Sequence, residues 1–264
     1  MPAEEPVVDS AALDGAPGRA LLWTDYARSL ADFGALMLTW PILSRAPRGD
    51  GHPVLVLPGL VASDASTIVL RVVLRRLGYT PYGWNLGTNL GPTHKIVDGT
   101  PARLDQIAAR HKQPVTLIGW SLGGIFARQL SRSAPDSVRQ VITLGSPFKL
   151  ASDRHSHARF IYNLWRKRHV TELLAPLEAG LGPLPVPATS IYSRRDGIVS
   201  WRACLDDDSP HAENIEVTAS HLGLGHHPAV LYAIADRLGQ AHGQWQPFHP
   251  PRWLRCAYPD ARRD

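Results

Sequence analysis

The 264-residue sequence has few cysteines, little lysine and no long apolar run, and each scarcity narrows what the chain can be. Cys204 and Cys256 lie far apart and match no zinc-ligand spacing, so we expect unpaired thiols and no disulfide scaffold. The longest uncharged apolar stretch near the N-terminus, residues 33–43, is too short to cross a bilayer. Residues 1–10 contain acidic but no basic side chains, unlike a secretory signal. These features predict a soluble, cytoplasmic protein.

The charge balance is basic, with a net charge of +5 and a pI near 9.5. A nucleic-acid-binding protein would group its basic residues, whereas here the arginines are scattered and accompany no recognition motif. We therefore exclude a nucleic-acid partner. The surface charge still allows a weak attraction to anionic membrane surfaces or to acidic substrates.

The N-terminal part divides into two segments. Residues 1–18 are rich in proline, alanine and acidic residues and are predicted to be disordered. Residues 19–47 are predicted to form an amphipathic helix that Pro41 and Pro47 end. Its apolar face could pack on the domain or lie on a lipid surface, and we expect packing, because the polar face lacks the lysine-arginine richness of interfacial helices. That apolar face comprises Leu22, Tyr26, Leu30, Phe33 and Met37.

Residues 48–240 alternate between apolar runs and helical patterns, which predicts an α/β domain with a mostly parallel central sheet flanked by helices. The segment 149–187 breaks this alternation with an aromatic and basic helix, and an insertion of that length predicts a helical lid. Residues 241–264 are predicted to form a tail packed on the surface. Strands are predicted at 53–57, 79–84, 115–118, 138–144, 188–192 and 214–218. Helices are predicted at 66–77 and 227–238, with another starting over 125–130 and another opening at Thr100-Pro101.

The most informative stretch is Gly119-Trp120-Ser121-Leu122-Gly123, which fits the pattern Gly-x-Ser-x-Gly. An apolar strand precedes it and a helix follows it, so the serine lies on a sharp strand-to-helix turn. Such a turn strains the serine backbone and lifts its hydroxyl clear of the sheet. The pattern therefore predicts a nucleophilic serine at position 121.

A serine hydroxyl becomes a nucleophile only when a histidine takes its proton and a carboxylate orients that histidine. In sheets that carry this turn, the acid and then the histidine follow on loops after later strands. Asp196 comes four residues after the strand at 188–192, and His221 directly follows the last strand. We therefore predict Asp196 as the acid and His221 as the base.

Alternatives exist for both residues. Asp153 lies in the predicted lid, and Asp206, Asp207 and Asp208 form an acidic run that is typical of a solvated turn. His226 and His227 are the rival bases, although histidines at a helix start are commonly just exposed. Their spacing from His221 also fits a metal site loosely, but no acidic or cysteine ligand accompanies them, so we predict no metal and no cofactor.

Together these motifs resemble the lipases and esterases of the α/β-hydrolase superfamily, over residues 53–238. The resemblance implies the α/β-hydrolase fold, with Ser121, Asp196 and His221 as catalytic triad. It further implies an oxyanion hole formed by the backbone N–H groups of Leu122 and Leu60, although Pro-Gly-Leu stands where many esterases carry His-Gly or His-Gly-Gly-Gly. The matching motifs are Pro-Gly-Leu at 58–60, Gly-Trp-Ser-Leu-Gly-Gly at 119–124, Arg-Asp-Gly-Ile-Val at 195–199 and Ser-His-Leu-Gly-Leu at 220–224.

The implied reaction is hydrolysis of a carboxylic ester through an acyl-enzyme on Ser121. Trp120, Leu222 and the lid residue Trp165 are expected to line the substrate site, which favours a small-molecule or lipid-like ester with an apolar acyl group. Two other functions remain open on the sequence alone. One is an acyltransferase that uses the same triad, and the other is a non-enzymatic binding protein of the same fold.

Overall fold

We describe residues 17–149 and 182–259 of a computed structural model. Within these ranges six strands form one sheet in the order β2-β1-β3-β4-β5-β6, and every neighbouring pair is parallel. The predicted α/β class with a parallel central sheet is confirmed. The strands are β1 (Pro53–Leu57), β2 (Thr80–Gly83), β3 (Val115–Trp120), β4 (Val138–Leu144), β5 (Ala188–Tyr192) and β6 (Ala212–Glu216).

Helices cover both faces of this sheet. They are α1 (Arg19–Leu43), α2 (Ile68–Arg76), α3 (His94–His111), α4 (Leu122–Ser133) and α5 (Pro228–Leu238). Alternate residues of a strand point to opposite faces, so Val54 and Ile118 pack with α1, α2 and α5, while Leu55 and Leu117 pack with α3 and α4. This double coverage explains why the central strands consist of continuous apolar runs.

The helix α1 differs from its prediction in length. It runs through Pro41 and ends at Leu43. Proline lacks the N–H that would bond the carbonyl of Met37, but the next hydrogen bonds continue, since the amide of Ser44 donates to the carbonyl of Trp40 at 2.8 Å. A proline so close to the helix end removes one bond without stopping the helix.

The orientation predicted for α1 is wrong. The apolar face that was expected to pack on the domain is turned outward, with Tyr26 68%, Leu30 59% and Met37 54% exposed. The side chains that face the domain include Asp25 and Ser29 together with Leu36 and Leu43. Helical spacing had identified two faces correctly but could not show which of them meets the protein.

The observed boundaries of α3 and β6 also differ from their predictions. Helix α3 begins at His94 rather than at Thr100, because the amides of Ile96 and Val97 already bond the carbonyl of Thr93, at 2.9 Å each. Strand β6 covers Ala212–Glu216 rather than 214–218, in register with β5 from Ala188 onward. His221 therefore follows the end of β6 by five residues.

The chain outside the sheet is partly described. In the tail, the Tyr258 hydroxyl donates to the carbonyl of Ala229 at 2.8 Å, and the Phe248 ring lies against that of Tyr258. Cys204 is buried and Cys256 is exposed, and both described thiols are free. The predicted disordered segment and the predicted lid helix fall mostly on 1–16 and 150–181, outside the described residues. Within the described ranges, no helix combines the length and apolar character needed to cross a membrane.

The interpretation of the acidic run as a solvated turn is wrong for Asp206. Its carboxylate is buried and accepts two hydrogen bonds from the Arg128 guanidinium, at 2.5 and 3.0 Å. Arg128 belongs to α4, the helix that follows Ser121, and its guanidinium also lies 3.8 Å from the centre of the Phe148 ring. This ion pair therefore ties α4 to the loop between β5 and β6.

We expect Arg128→Met to lower the free energy of unfolding by about 3–5 kcal/mol, because it leaves a buried carboxylate without its partner. The double variant Arg128→Met/Asp206→Leu should lose less, since no uncompensated charge remains. Urea unfolding measures both. Lys149→Met is the matched control, because its partner Asp207 is half exposed and such pairs contribute about 1 kcal/mol or less. A single variant as stable as the double would contradict the prediction.

Candidate active site

The predicted site residues gather at one edge of the sheet. Ser121 follows β3, Asp196 follows β5 and His221 follows β6. Because all strands are parallel, their carboxyl ends lie on the same edge, and loops after neighbouring strands approach one another there. The Pro58-Gly59-Leu60 segment after β1 reaches the same edge, since a Cβ placed on Gly59 would lie 3.2 Å from the Cβ of Ser121.

Ser121 has the backbone conformation that the turn predicts. Its φ of 52° and ψ of −123° are unusual for a residue with a side chain, and they cost energy that the surrounding structure must supply. Hydrogen bonds hold it on both sides, because its amide donates to the Leu144 carbonyl at 2.8 Å and its carbonyl accepts from Gly124 at 2.9 Å. A Cβ at Gly123 would lie 2.3 Å from the carbonyl oxygen of Leu57, so only glycine fits this turn.

Asp196 and His221 are in direct contact. The Oδ2 of Asp196 lies 2.6 Å from the Nδ1 of His221, and both side chains are buried. The other oxygen, Oδ1, accepts the backbone N–H groups of Ile198 at 2.8 Å and Val199 at 2.7 Å. A carboxylate held in this way places the proton of a neutral imidazole on Nδ1, which leaves Nε2 free to accept one.

The charge around His221 favours its protonated form. Burial by itself lowers the pKa of the imidazole, but the charge of Asp196, its hydrogen bond and the charge of Asp25 raise it. The net result is a pKa above the ordinary value of 6.5. An imidazole with a raised pKa is a stronger base once it has lost its proton.

The strand-to-helix turn at residues 119–123, the elbow, contacts the loop of His221 through Trp120. Its indole N–H donates to the carbonyl of His221 at 3.2 Å, and its side chain is only 8% exposed. Among the described residues, no hydrogen bond joins the Ser121 hydroxyl to the imidazole of His221. Such contacts are often long in resting enzymes and tighten when substrate binds.

The two backbone groups expected to form an oxyanion hole are available. Within the described ranges, the N–H groups of Leu60 and Leu122 donate to no acceptor. The loop that carries Leu60 is held by Asn89, a fully buried residue whose side-chain amide donates to the Pro58 carbonyl at 2.8 Å. The backbone carbonyl of Asn89 also accepts from Val61 at 2.7 Å.

Two buried polar residues near the site were not singled out from the sequence. Asn89 lies in a glycine- and asparagine-rich loop, where its residue type is typical of any turn. Asp25 lies in α1, and its carboxylate reaches the loops of Asp196 and His221. A signal for Asp25 does exist, because Asp25, Ser29 and Asp32 share one side of a helix that is rich in apolar residues.

The rival residues have structural partners. The Nε2–H of His226 donates to the Ser29 carbonyl at 2.9 Å, and His227 caps α5 by accepting from the amide of Ala229 at 3.2 Å. In the described part of the chain, no group of three or more His, Cys, Asp or Glu side chains is arranged to hold a metal ion. The rival acid Asp153 lies outside the described residues.

The predicted substrate-site residues fall in three different situations. Leu222 follows His221 directly and is 38% exposed at the edge of the site. The ring of Trp120 is buried beneath that loop. Trp165 lies outside the described residues, so its predicted contact with substrate stays a prediction.

Comparisons with known proteins agree with this fold. No known family model matches the sequence. A pimeloyl-[acyl-carrier protein] methyl ester esterase of Aeromonas hydrophila is 28% identical, over 52% of this chain and 74% of that protein. Among solved structures, Aspergillus fumigatus lipase B superposes with a TM-score of 0.58 and 19% identity, covering 73% of this chain. The chain spans about half the length of that lipase, 53%.

Two further structures cover nearly all of the matched protein. A metagenome-derived lipolytic enzyme, described in work on LipS and LipT, has a TM-score of 0.54 and 16% identity over 73% of this chain and 93% of its own. A monoacylglycerol lipase of Paleococcus ferrophilus has a TM-score of 0.51 and 14% identity over 72% of this chain and 96% of its own. With the sheet order and the strained Ser121 turn, these likenesses show that the chain has the α/β-hydrolase fold.

Proposed function

We propose that this protein hydrolyses carboxylic esters, with Ser121 as nucleophile, His221 as general base and Asp196 as the acid that orients it. The observation that carries the proposal is the buried pair of Asp196 and His221, 2.6 Å apart, on the loops beside the strained Ser121. A base held in one tautomer next to a serine on a strained turn is the arrangement that acyl transfer requires.

The reaction proceeds in two halves. Ser121 Oγ attacks the ester carbonyl carbon and forms a C–O bond while its proton passes to Nε2 of His221. The tetrahedral intermediate then collapses, the bond to the alcohol oxygen breaks, and His221 returns the proton to the departing alcohol. Water attacks the acyl-enzyme by the same route, again with His221 as base, and releases the carboxylic acid.

The negative charge that develops on the carbonyl oxygen needs donors that are already in place. The N–H groups of Leu60 and Leu122 have no acceptor within the described residues, so they are free to bind this oxyanion. Asn89 fixes the loop of Leu60 through its bond to Pro58, which keeps one donor oriented before substrate arrives. A preorganised pair of donors stabilises the transition state without reorganisation.

The acyl group is proposed to be apolar. Leu60, Leu122 and Leu222 are partly exposed around Ser121, and their side chains offer an apolar surface at the mouth of the site. The A. hydrophila relative is named for a methyl ester, and the solved relatives are named as lipases or lipolytic enzymes. The first name supports a carboxylic ester as substrate, and the lipase names support a lipid-like acyl group.

The first test replaces the nucleophile and the base. We expect Ser121→Ala and His221→Ala each to lower kcat for p-nitrophenyl butyrate by roughly 10³-fold or more, while the melting temperature changes little. The double variant should lose no more than either single variant, because the two residues act as one unit. Substantial turnover by a folded Ser121→Ala protein would end the serine-esterase proposal.

The second test is the pH dependence of kcat/KM. Only the neutral imidazole can accept the serine proton, so activity should rise with pH as His221 loses its proton. Because its pKa is raised, the midpoint of this rise should lie above 6.5. Asp196→Asn removes the largest charge that raises the pKa, so its residual activity should titrate at lower pH. If wild type and Asp196→Asn have the same midpoint, the group whose ionisation controls activity is not His221.

The third test concerns Leu222. We expect Leu222→Ser to reduce kcat/KM for an octanoate ester more than for an acetate ester, since each methylene that loses its apolar contact costs about 0.8 kcal/mol, roughly fourfold. Leu38→Ser is the matched control, because Leu38 is 84% exposed on α1 and should leave the octanoate-to-acetate ratio unchanged. Equal losses on the two esters would show that Leu222 does not contact the acyl chain.

A further inference from the structure

The polar side of α1 lies against the loops that carry Asp196 and His221. Asp25 is its most deeply buried member, with 1% of its surface exposed. A buried carboxylate is unfavourable unless hydrogen bonds and charge satisfy it. Its contacts therefore indicate what this residue does.

Asp25 accepts hydrogen bonds from both catalytic loops. Its Oδ2 accepts the backbone N–H of Gly197, next to Asp196, at 3.0 Å. The same oxygen accepts the N–H of His221 at 3.0 Å, and Oδ1 accepts that of Leu222 at 3.0 Å. One carboxylate thus joins the residue after the acid to the base itself.

The contact between α1 and the Asp196 loop is close along the backbone. A Cβ at Gly197 would lie 2.3 Å from the carbonyl oxygen of Leu21 and 2.8 Å from Oδ2 of Asp25, so the position requires glycine. Arg28 reinforces the same junction. Its Nη2 lies 3.2 Å from Oδ2 of Asp25, and its Nη1 donates to the carbonyl of Arg195 at 2.6 Å.

We propose that Asp25 is a positioning residue of the active site, whose carboxylate fixes the Asp196 loop and the His221 loop in the relative placement that aligns the acid with the base. This inference rests on the proposed function, because it takes Asp196 and His221 as the acid and base of the reaction. Asp25 does not contact the reacting atoms, and it acts through the two backbone segments that it bridges.

A helix anchor with no role in catalysis is the competing explanation. An anchor needs contacts with the domain only, and α1 already has them in the buried side chains Leu36 and Leu43. Asp32 lies on the same side of the helix, about two turns after Asp25. Its Oδ2 accepts hydrogen bonds from the Ser220 amide at 3.1 Å and the Ser220 hydroxyl at 2.7 Å. Asp25 differs from Leu36, Leu43 and Asp32 because its single carboxylate contacts both the Asp196 loop and the His221 loop.

The charge of Asp25 gives the proposal a distinct readout. Asp196 is the nearest charge to His221, and Asp25 faces the same residue from α1 and adds to the raised pKa of its imidazole. Two other charged groups here have their own partners: the Arg28 guanidinium contacts Asp25 and the carbonyl of Arg195, and Asp32 binds Ser220. Loss of the Asp25 charge should therefore lower the pKa of His221.

The test variant is Asp25→Asn, which keeps the shape but loses the charge and replaces one acceptor oxygen with a donor. We expect kcat for p-nitrophenyl butyrate to fall roughly 10-fold or more with KM little changed, because misplaced catalytic groups act on the chemical step. The midpoint of the kcat/KM profile should move to lower pH. Wild-type kcat and an unmoved midpoint in a folded variant would overturn the inference.

Leu36→Ala is the matched control for stability. Leu36 is fully buried on α1, so its truncation weakens the docking of the same helix without touching the carboxylate. It should lower the melting temperature, while the pH midpoint stays at the wild-type value. If Leu36→Ala shifts the midpoint as far as Asp25→Asn does, Asp25 is an anchor only.

A measurement without turnover separates this inference from the proposed function. The His221 ring can be titrated by NMR in the inactive Ser121→Ala background, with and without Asp25→Asn. A lower imidazole pKa in the double variant supports the positioning role, and an unchanged pKa refutes it while the serine mechanism stands. Activity in folded Ser121→Ala would instead refute the proposed function, and the catalytic meaning of Asp25 with it.

Discussion

Backbone N–H groups that converge on buried carboxylates hold this site together. Asp196 accepts two of them through Oδ1 and keeps Oδ2 for His221, while Asp25 accepts three from the neighbouring loops. Each carboxylate is removed from water and compensated by donors that the chain cannot easily withdraw. The loops are therefore ordered by charge as well as by packing, and the sheet edge supplies the positions at which those donors meet.

The sheet and the elbow position the loops that carry these carboxylates. Parallel strands carry the Asp196 and His221 loops to one edge, and the strained turn at Ser121 is fastened to β4 through the Leu144 carbonyl. The buried pair of Arg128 and Asp206 then fixes α4, the helix that follows Ser121. Strain at the serine persists because several independent contacts oppose its relaxation.

Local patterns were enough to predict the strands, the elbow and the positions of Asp196 and His221, because a turn with Gly-x-Ser-x-Gly and a loop after a strand are encoded within a few residues. Contacts between distant segments were not predictable in this way. The periodicity of α1 gave two faces, but the choice between them depends on backbone donors 172 and 196 residues after Asp25, at Gly197 and His221. Asp206 was misread for the same reason, since its partner Arg128 belongs to another element.

The position of α1, before the first strand, determines where a fragment of this chain can be cut. All three proposed triad residues and both proposed oxyanion donors lie after β1 begins at Pro53, so a fragment cut at the sheet boundary would contain the complete catalytic sequence. It would nevertheless lack the carboxylate at position 25 that spans the two loops. An expression boundary drawn from motifs alone would remove the carboxylate that bridges the Asp196 and His221 loops, because no motif marks it.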